Sequence, residues 1–373
     1  MKEAVRNRAR ELGFDDCRIT SASPPVSAPR YESWLAAGCQ GEMAYLERNA
    51  HKRLEPRLIL PGARSIITLA TSYFADPSEP LERRSNKPLE SKLHQASGPP
   101  SATISDPVGA PRGLIALYAR YRDYHDVIAP RLEQLARFVD ALGGADARSL
   151  WYQDTGPILE RDLAQRAGLG FIGKHTNLIS RGLGNWFFIS EILTTLEIEP
   201  DDPERNRCGS CARCLAACPT GAITAPFHLD ARLCISYLTI ELKGPIPLPL
   251  RRALGNRIFG CDDCLAACPW NRFAREGRIM KEQARPDLST PDLLDLLALD
   301  QEAFRRRFAD TPVARVKRRG LLRNVCVALG NLGDPAALPA LEKAARQEEP
   351  LIADHARWAI SEIQSRGKPA DWD

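Results

Sequence analysis

The sequence predicts an α/β domain followed by a ferredoxin-like module and a C-terminal α-helical region. Three observations support this fold class. Aliphatic runs typical of buried strands alternate with helical patterns in the first half of the chain. Two blocks of closely spaced cysteines follow, and short helices separated by a Leu-Gly-Asp-Pro turn come after them. For a chain of 373 residues we therefore expect three domains, at residues 1–200, 201–275 and 276–373.

The composition is that of a globular protein, with 44% hydrophobic and 26% charged residues. The first residues, from Met1 to Arg6, are charged and do not resemble an apolar signal segment. No apolar run reaches the roughly 18 residues needed to cross a bilayer. The 11 cysteines are better explained by metal ligation in a reducing compartment than by disulfides. We therefore expect a cytoplasmic protein without a membrane partner.

The α/β domain begins with an amphipathic pattern over residues 2–12, which predicts a helix. Residues 64–70 are rich in β-branched side chains and predict a buried strand. Proline, serine and glycine dominate residues 76–112, and few apolar side chains there could offset the entropy of ordering. This segment therefore predicts a flexible insertion, after which helical spacing resumes over residues 132–142.

Asp154 lies in the segment W-Y-Q-D-T-G-P, where a strand is predicted to end and a helix to begin at Pro157. Side chains at such junctions tend to face a cleft in α/β folds, which makes Asp154 a candidate functional residue. The alternative is that Asp154 caps the helix. Further strands are predicted at residues 178–180 and 186–189, joined by a glycine-rich turn.

The first cysteine block, from Cys208 to Pro219, reads C-x-x-C-x-x-C-x-x-x-C-P. This is the bacterial ferredoxin run, in which three thiolates hold one 4Fe–4S cluster and the fourth reaches another cluster. The second block, from Cys261 to Pro269, keeps the last three positions of that run, and Ile258 occupies the position of the missing cysteine. A further cysteine between the blocks, Cys234, is the obvious replacement.

Crossing the fourth ligands fills two clusters with four thiolates each. The first group comprises Cys208, Cys211, Cys214 and Cys268, and the second comprises Cys218, Cys234, Cys261 and Cys264. Zinc is the alternative ligand, but the doubled tight spacing and the two Cys-Pro endings favour iron–sulfur clusters. Three other cysteines, Cys17, Cys39 and Cys326, are interpreted as packed thiols. The module therefore predicts electron transfer.

The C-terminal region predicts three helices, at residues 321–329, 336–346 and 351–363, which resemble HEAT-type repeats. A group of basic residues, opposed by Asp310 alone, precedes and enters the first of these helices. Its members are Arg305, Arg306, Arg307, Arg315, Lys317, Arg318, Arg319 and Arg323. Such a basic stripe favours a polyphosphate partner, and a solvated helical face is the alternative.

Several segments together resemble the epoxyqueuosine reductase family. They are D-T-G-P-I-L-E-R, G-L-G-F-I-G-K-H, the two cysteine blocks, C-I-S-Y-L-T-I-E and V-K-R-R-G-L-L-R-N. The resemblance implies an oxidoreductase that reduces epoxyqueuosine to queuosine at the wobble position of transfer RNA, the last step of queuosine biosynthesis. It also implies two 4Fe–4S clusters and cobalamin as cofactors, a catalytic domain similar to that of reductive dehalogenases, and a HEAT-like region that holds the RNA.

The resemblance also implies roles for individual residues. Asp154 matches the family's acid and lies among its cobalamin contacts. Further cobalamin contacts are expected at Arg57, Leu178, Ile179, Ser180, Ser236 and Asp262. RNA contacts are expected at Lys317, Arg318, Arg319 and Arg323. Because the sequence contains no obvious flavin or nicotinamide site, electrons are expected from a separate reductase or from a flavodoxin- or ferredoxin-like donor. The protein is expected to be a monomer.

Two other functions fit parts of the sequence. One is a cobalamin- and cluster-dependent reductase of a small molecule, such as a dehalogenase relative, which would not need the basic helical tail. The other is a ferredoxin-like electron carrier, which would not need the large α/β domain ahead of the cysteines. A reductase acting on transfer RNA accounts for all three regions.

Overall fold

The computed structural model describes residues 1–74 and 109–366. The insertion predicted at residues 76–112 therefore lies, except for its last four residues, outside the described residues. The strands are β1 Asp16–Ser21, β2 Ser65–Ser72, β3 Leu114–Ile115, β4 Ser149–Tyr152, β5 Phe171–Ile172, β6 Leu178–Ile179, β7 Phe187–Thr194, β8 Ile223–Ala225, β9 His228–Leu229 and β10 Arg257–Phe259. The helices are α1 Lys2–Glu11, α2 Ala28–Ala36, α3 Ala44–Arg48, α4 Ala50–Leu54, α5 Tyr124–Gly143, α6 Glu160–Arg166, α7 Arg213–Ala216, α8 Ile235–Ile240, α9 Leu248–Arg251, α10 Asp263–Ala266, α11 Leu293–Leu297, α12 Gln301–Phe308, α13 Lys317–Leu332, α14 Leu338–Ala345 and α15 Pro350–Arg366.

The α/β domain is built on a four-stranded antiparallel sheet in the order β1-β2-β7-β4. Strand β2 is buried at every position, because α1 and α5 cover one face of the sheet and α6 lies on the other. On the α6 face, Ile66 pairs with Leu193 and both pack against Leu163. On the other face, Ile67 and Ile192 pack into the core that α1 and α5 share. This confirms the predicted strand at residues 64–70 and the first helix.

The helix predicted to begin at Pro157 begins instead at Glu160. The prediction was wrong because the chain turns before it becomes helical: Asp154 has a φ of +59°, in the left-handed region, and Leu159 is the N-cap. The predicted strands at residues 178–180 and 186–189 do not form one hairpin. Strand β6 pairs with β5, whereas β7 joins the central sheet, and a single bridge joins Ser180 to Gly184.

The C-terminal region is helical as predicted, with α13, α14 and α15 packed against one another. Its core is not separate from the rest of the molecule. Ile258 and Phe259 of β10 lie in the same apolar cluster as the helices, and so does Ile115 of β3. The HEAT-like character of these helices and the division into three domains remain predictions. Within the described ranges, no helix is long and apolar enough to cross a membrane.

Polar side chains of the helical region also fix it to the segments that surround Cys234 and Cys261. Arg323 of α13 donates hydrogen bonds to the carbonyl oxygens of Leu238, Leu242 and Gly244, at 2.7–2.8 Å. Its neighbour Asn324 donates to the carbonyl oxygens of Thr239 and Ile258, both at 2.8 Å. On α15, the buried His355 accepts from the amide of Ile246 at 3.1 Å and contacts the carbonyl oxygen of Leu351 at 2.7 Å. These bonds hold the loops of the cysteine module against the C-terminal helices.

Candidate cluster sites and active-site cleft

The first predicted group of cysteines lies on an exposed loop and on α7, with Cys268 after α10. Cys214 is close enough to interact electrostatically with Cys208 and Cys268, and Cys268 interacts with Cys208 and Cys211. The residues between these ligands are exposed: they are Gly209, Ser210, Ala212 and Arg213. Lys174 closes the loop by donating to the carbonyl oxygens of Gly209 and Cys211, at 2.9 and 2.8 Å. The loop that carries Cys208 and Cys211 therefore faces solvent, whereas Cys214 and Cys268 are buried.

The four cysteines of the second predicted group are partly buried. Cys264 interacts electrostatically with Cys261, Cys234 and Cys218. Burial raises the pKa of Cys261 to about 12 and that of Cys264 well above its ordinary value. The amides of Ser236 and Tyr237 form hydrogen bonds with the sulfur of Cys234. Members of each predicted group thus lie close enough to interact electrostatically, and their division into two clusters and their ligation of iron remain predictions.

A tyrosine and an arginine from distant parts of the chain hold Asp154. We call the surroundings of Asp154, Glu160 and Glu191 the candidate cleft. The hydroxyl of Tyr124 donates to Oδ2 of Asp154 at 2.5 Å. Nη1 of Arg315 donates to the Tyr124 hydroxyl at 3.2 Å and lies 4.0 Å from the Asp154 carboxylate. The Arg315 guanidinium also stacks over the Tyr124 ring, 5.2 Å from its centroid, and donates to Asp123. Because the Asp154 side chain is still 58% exposed, a ligand could reach it.

Asp154 does not cap α6, since no side chain caps that helix. Its backbone amide instead donates to the Glu160 carboxylate at 2.9 Å. Burial and then the neighbouring Asp154 charge raise the pKa of Glu160 to about 8. The pKa of Glu191, on β7, is raised well above its ordinary value by burial, by Glu160 and by Asp154. Two carboxyl groups with raised pKa values therefore lie near Asp154.

Several buried polar atoms near this cleft have no hydrogen-bond partner within the described residues. Across the sheet, Thr68 pairs with Glu191, and Glu191 pairs with Tyr152, the residue before Gln153. The unpaired atoms are Oγ1 of Thr68, both carboxyl oxygens of Glu191 and both amide atoms of Gln153. Native proteins leave few such atoms unsatisfied, and each calls for a ligand or water. The row is therefore a candidate site for a ligand rich in polar groups.

The cleft is continuous with the surroundings of the second cysteine group. Tyr118 interacts electrostatically with both Asp154 and Asp262. Asp262, one of the predicted cobalamin contacts, accepts a hydrogen bond from the amide of Leu117 at 2.6 Å. Burial raises the pKa of Asp262 to about 6. Ser236, another predicted contact, is half-buried beside Cys234. Both residues therefore lie where the cleft meets the second group.

The other predicted cobalamin contacts lie elsewhere. Leu178 and Ile179 are buried in apolar clusters, and Ile179 packs beside Cys268 of the first group. Ser180 lines a separate cavity of about 210 Å³ with Asp15, Arg18 and Arg275 among its other walls. Arg57 is exposed on a short 3-10 helix. The structure does not place these four side chains beside Asp154, and their role remains a prediction.

The basic residues predicted to contact RNA differ in exposure. Lys317 and Arg319 are exposed, and Arg318 is partly buried, with Nε donating to the carbonyl oxygen of Leu299 at 2.7 Å. With Arg305 they line an open cavity of about 550 Å³. The prediction for Arg323 was wrong, because its side chain is fully buried and its guanidinium is bonded to backbone carbonyls.

Sequence reasoning missed several residues of the cleft. Arg315 was assigned to the basic stripe, whereas the structure places it against Tyr124 and Asp154. Glu160 carried a signal, because it falls in the segment D-T-G-P-I-L-E-R that resembles the family. Arg53 is buried and close enough to Glu160 to lower its pKa, whereas the predicted Arg57 is exposed. No pattern in the sequence pointed to Glu191, which lies inside a strand.

Comparisons with known proteins were consistent across the chain. Residues 53–155 match the family described as "Epoxyqueuosine reductase QueG, DUF1730", and residues 207–271 match "4Fe-4S double cluster binding domain". An epoxyqueuosine reductase of Xanthomonas campestris pv. campestris is 39% identical over 96% of this chain and 95% of its own length. A crystal structure of epoxyqueuosine reductase with an epoxyqueuosine-modified tRNA-Tyr stem loop has a TM-score of 0.81 and is 30% identical, covering 97% of this chain and 90% of its own.

A catabolic reductive dehalogenase is far less similar. Its structure covers 74% of this chain and 32% of its own, at 15% sequence identity and a TM-score of 0.39. That similarity is too weak to assign the catalytic domain to the dehalogenase fold. The mixed α/β architecture and the double-cluster module are established without it.

Proposed function

The chain belongs to the epoxyqueuosine reductase family, and from that membership we propose that it reduces epoxyqueuosine to queuosine in transfer RNA. One observation carries the proposal: Asp154, held by Tyr124 and Arg315, opens onto a cleft beside the second group of cysteines. An acid beside a source of low-potential electrons is what opening an epoxide reductively requires. The double-cluster module supplies two 4Fe–4S clusters for that purpose.

Cobalamin is the further cofactor that the family implies, and the residues of the cleft fit it. Its corrin ring carries amide side chains, which could donate to and accept from the unpaired atoms of Thr68, Gln153 and Glu191. We propose that these residues, with Ser236 and Asp262 at the cluster side, hold it. When bound, cobalamin would supply a strongly reducing centre that can deliver two electrons to carbon.

The reaction consumes two electrons and two protons, converting the epoxide to an alkene and water. The electrons come from the clusters, and we propose that Asp154 gives a proton to the epoxide oxygen as its bond to carbon breaks. Tyr124 and Arg315 orient the Asp154 carboxyl and limit its motion. Glu160 and Glu191, whose pKa values are raised by burial, are the proposed proton store nearby. The Glu160 carboxylate also fixes the Asp154 backbone.

Transfer RNA is the proposed partner, since a relative has been crystallised with a modified stem loop. The proposed RNA surface is the open basic cavity lined by Arg305, Lys317, Arg318 and Arg319, whose charges suit phosphates. Arg323 is excluded from this surface by its burial. A HEAT-like role for the helices, a dehalogenase-like catalytic domain, a cytoplasmic location, a monomeric state and an external electron donor are retained as parts of the proposal.

Substitution of Asp154 by Asn tests the proposal. Asn preserves size and hydrogen-bonding capacity but cannot deliver a proton, so turnover should fall by about a hundredfold or more. The assay is anaerobic, with an epoxyqueuosine-containing stem loop, cobalamin and a chemical reductant, and it follows loss of one oxygen from the base by mass. Asp146→Asn, which alters an exposed carboxylate, is the matched control and should retain full turnover.

The same assay separates the alternative functions. Near-normal turnover by Asp154→Asn would remove Asp154 from the chemistry. Reduction of a halogenated small molecule without any reduction of the RNA would favour the dehalogenase-like reductase. Cluster reduction with no chemistry on either substrate would favour the ferredoxin-like carrier.

A further inference from the structure

The first cysteine group is surrounded by exposed arginines and aromatic rings. We call this surface the donor face and define it by Arg205, Arg207, Arg213, Arg272, Phe227 and Phe273, all of which are exposed. Residues 205–229 contain three arginines and neither Asp nor Glu. Of the four arginines, Arg207 is paired with Glu204, at 2.9 Å. The face is therefore strongly cationic around the cluster ligands.

The two aromatic rings of the donor face are tied to the ligand loops by short contacts. The amide of Phe227 donates to the carbonyl oxygen of Lys174 at 3.0 Å, and Lys174 in turn holds Gly209 and Cys211. On the other side, Phe273 lies 5.5 Å from Trp270, which packs in the apolar cluster of Cys208 and Cys268. Each exposed aromatic residue is thus linked to the first group through one intervening residue, Lys174 for Phe227 and Trp270 for Phe273.

Exposure decides which group can receive electrons from outside. Gly209 and Ser210, between the first two ligands, are exposed, whereas Asp262 and Asp263, between two ligands of the second group, are partly buried. The second group also adjoins the cleft of Asp154 through Tyr118. Electrons from an external donor can therefore enter at the first group and pass from the second group to the cleft.

We propose that the donor face docks an acidic electron-carrier protein, which reduces the first cluster. Each encounter transfers one electron, oxidising the carrier and reducing the cluster by one electron, so two encounters supply one turnover of the proposed reductase, on which this inference rests. Cationic residues steer an anionic partner, and exposed aromatic rings provide the apolar contact that small, transient redox interfaces need. A protein is favoured over RNA because the surface is centred on the cluster ligands and the open basic cavity for RNA belongs to other elements.

Charge reversal at Arg205 and Arg272 tests the docking, because neither residue lies between two ligands. The full chain with both clusters is mixed anaerobically with reduced flavodoxin of net negative charge, and bleaching of the visible cluster absorbance is followed by stopped flow. At low salt the double variant Arg205→Glu/Arg272→Glu should be reduced about tenfold more slowly than the parent. Added salt should slow the parent and leave the variant nearly unchanged.

Two controls make the result specific. Reduced methyl viologen, a small cation, should reduce the variant as fast as the parent or faster, which shows that its clusters remain intact and reactive. The matched variant Arg10→Glu/Arg137→Glu, with exposed charges reversed on α1 and α5, should behave like the parent with flavodoxin.

Equal flavodoxin rates in parent and double variant would overturn the proposal, and so would a parent whose rate does not respond to salt. A double variant that keeps its flavodoxin rate but loses affinity for the stem loop would assign the face to RNA and also overturn it. Because this measurement needs neither RNA nor cobalamin, its failure would leave the reductase assignment standing. Conversely, an enzyme that reduces no RNA with viologen as the electron source would fail the proposed function and leave the docking result untouched.

Discussion

Each of the two cysteine groups contains four thiols, and the groups differ in what surrounds them. Loops of the first group are exposed and rich in arginine, whereas residues 261–264 of the second group are partly buried and Asp263 is paired to Arg257 at 2.7 Å. The second group is also fixed by α13, since Arg323 and Asn324 bond to the backbone that connects Cys234 to Cys261. The first group is thus accessible to partner proteins, and the second is held in a fixed position beside the cleft.

This difference changes the role of the C-terminal helices. Their sequence suggests a surface that binds RNA, but their most buried polar residues, Arg323, Asn324 and His355, bond to the cysteine module. The apolar core shared by β10 and α13 reinforces the attachment. The helices therefore support the second group, and an RNA bound to their exposed face would lie on a structure rigidly connected to the electron source.

Replacement of one ligand in each group gives the largest expected effect and the most direct test of the comparison. Cys234→Ala should lose the second cluster, keep the first, retain about half the iron and abolish turnover, because four thiolates are needed for each cubane. Cys208→Ala should lose the first cluster and keep turnover only with small reductants that can reach the second. Iron analysis and electron paramagnetic resonance of the reduced protein distinguish the two.

Cys17→Ala is the control, since this buried thiol packs in the α1 and α5 core and belongs to neither group. It should retain both clusters. Cys234→Ala protein that still contains two intact clusters would contradict the ligand assignment.

The attachment of the second group through Arg323 predicts an intermediate effect. Arg323→Met leaves three buried carbonyl oxygens without their donor, and hydrogen bonds from a charged group are among the more costly to lose. We expect destabilisation by about 3 kcal/mol or more, seen as a lower urea midpoint. The second cluster should be released before the first during unfolding, as followed by its spectrum.

Arg319 lies four residues before Arg323 on the exposed side of the same helix, and Arg319→Glu provides the contrast. It should leave the urea midpoint almost unchanged and instead lower stem-loop affinity and flatten its salt dependence. Loss of RNA affinity by Arg323→Met without loss of stability would restore Arg323 to the RNA surface. Arg323→Lys should recover only part of the stability, because an ammonium group cannot reproduce the guanidinium fork.

Features of the fold and the site could be predicted from the sequence where they depend on residues close together in the chain, and not where they depend on residues far apart. Strand β2, helix α5 and the cysteine groups are encoded by local composition and spacing, and the sequence predicts them well. The contacts that hold Asp154 include a hydrogen bond from Arg315 to Tyr124, which lies 191 positions away in the sequence. No local sequence pattern predicts a contact over that separation. Arg323 was misassigned for the same reason: its burial depends on carbonyl oxygens of α8, about 80 residues earlier. Consecutive charges on a helix cannot indicate which of them a distant loop will cover.

The smallest expected effect concerns pH and extends the comparison to the cleft. The exposed arginines of the donor face do not titrate near neutrality, whereas the pKa of Glu160 is raised to about 8 by burial and by Asp154. Arg161, the hydrogen bond from the Asp154 amide and Arg53 oppose this increase. Since the unfolded chain releases this proton near pH 4.5 and the folded protein keeps it to about pH 8, the group's contribution to stability is full below pH 4.5 and is lost as pH rises through that window.

Glu160→Gln has no proton to release, so its apparent Tm should fall less than that of the parent between pH 6 and about pH 8. Scanning calorimetry of the anaerobic protein with both clusters measures the difference, and Glu133→Gln, an exposed carboxylate on α5, should follow the parent. Parallel Tm curves for parent and Glu160→Gln would mean that Glu160 is ionised throughout this range. The proton store beside Asp154 would then consist of Glu191 alone, and delivery of a second proton would have to come from solvent through the exposed side of the cleft.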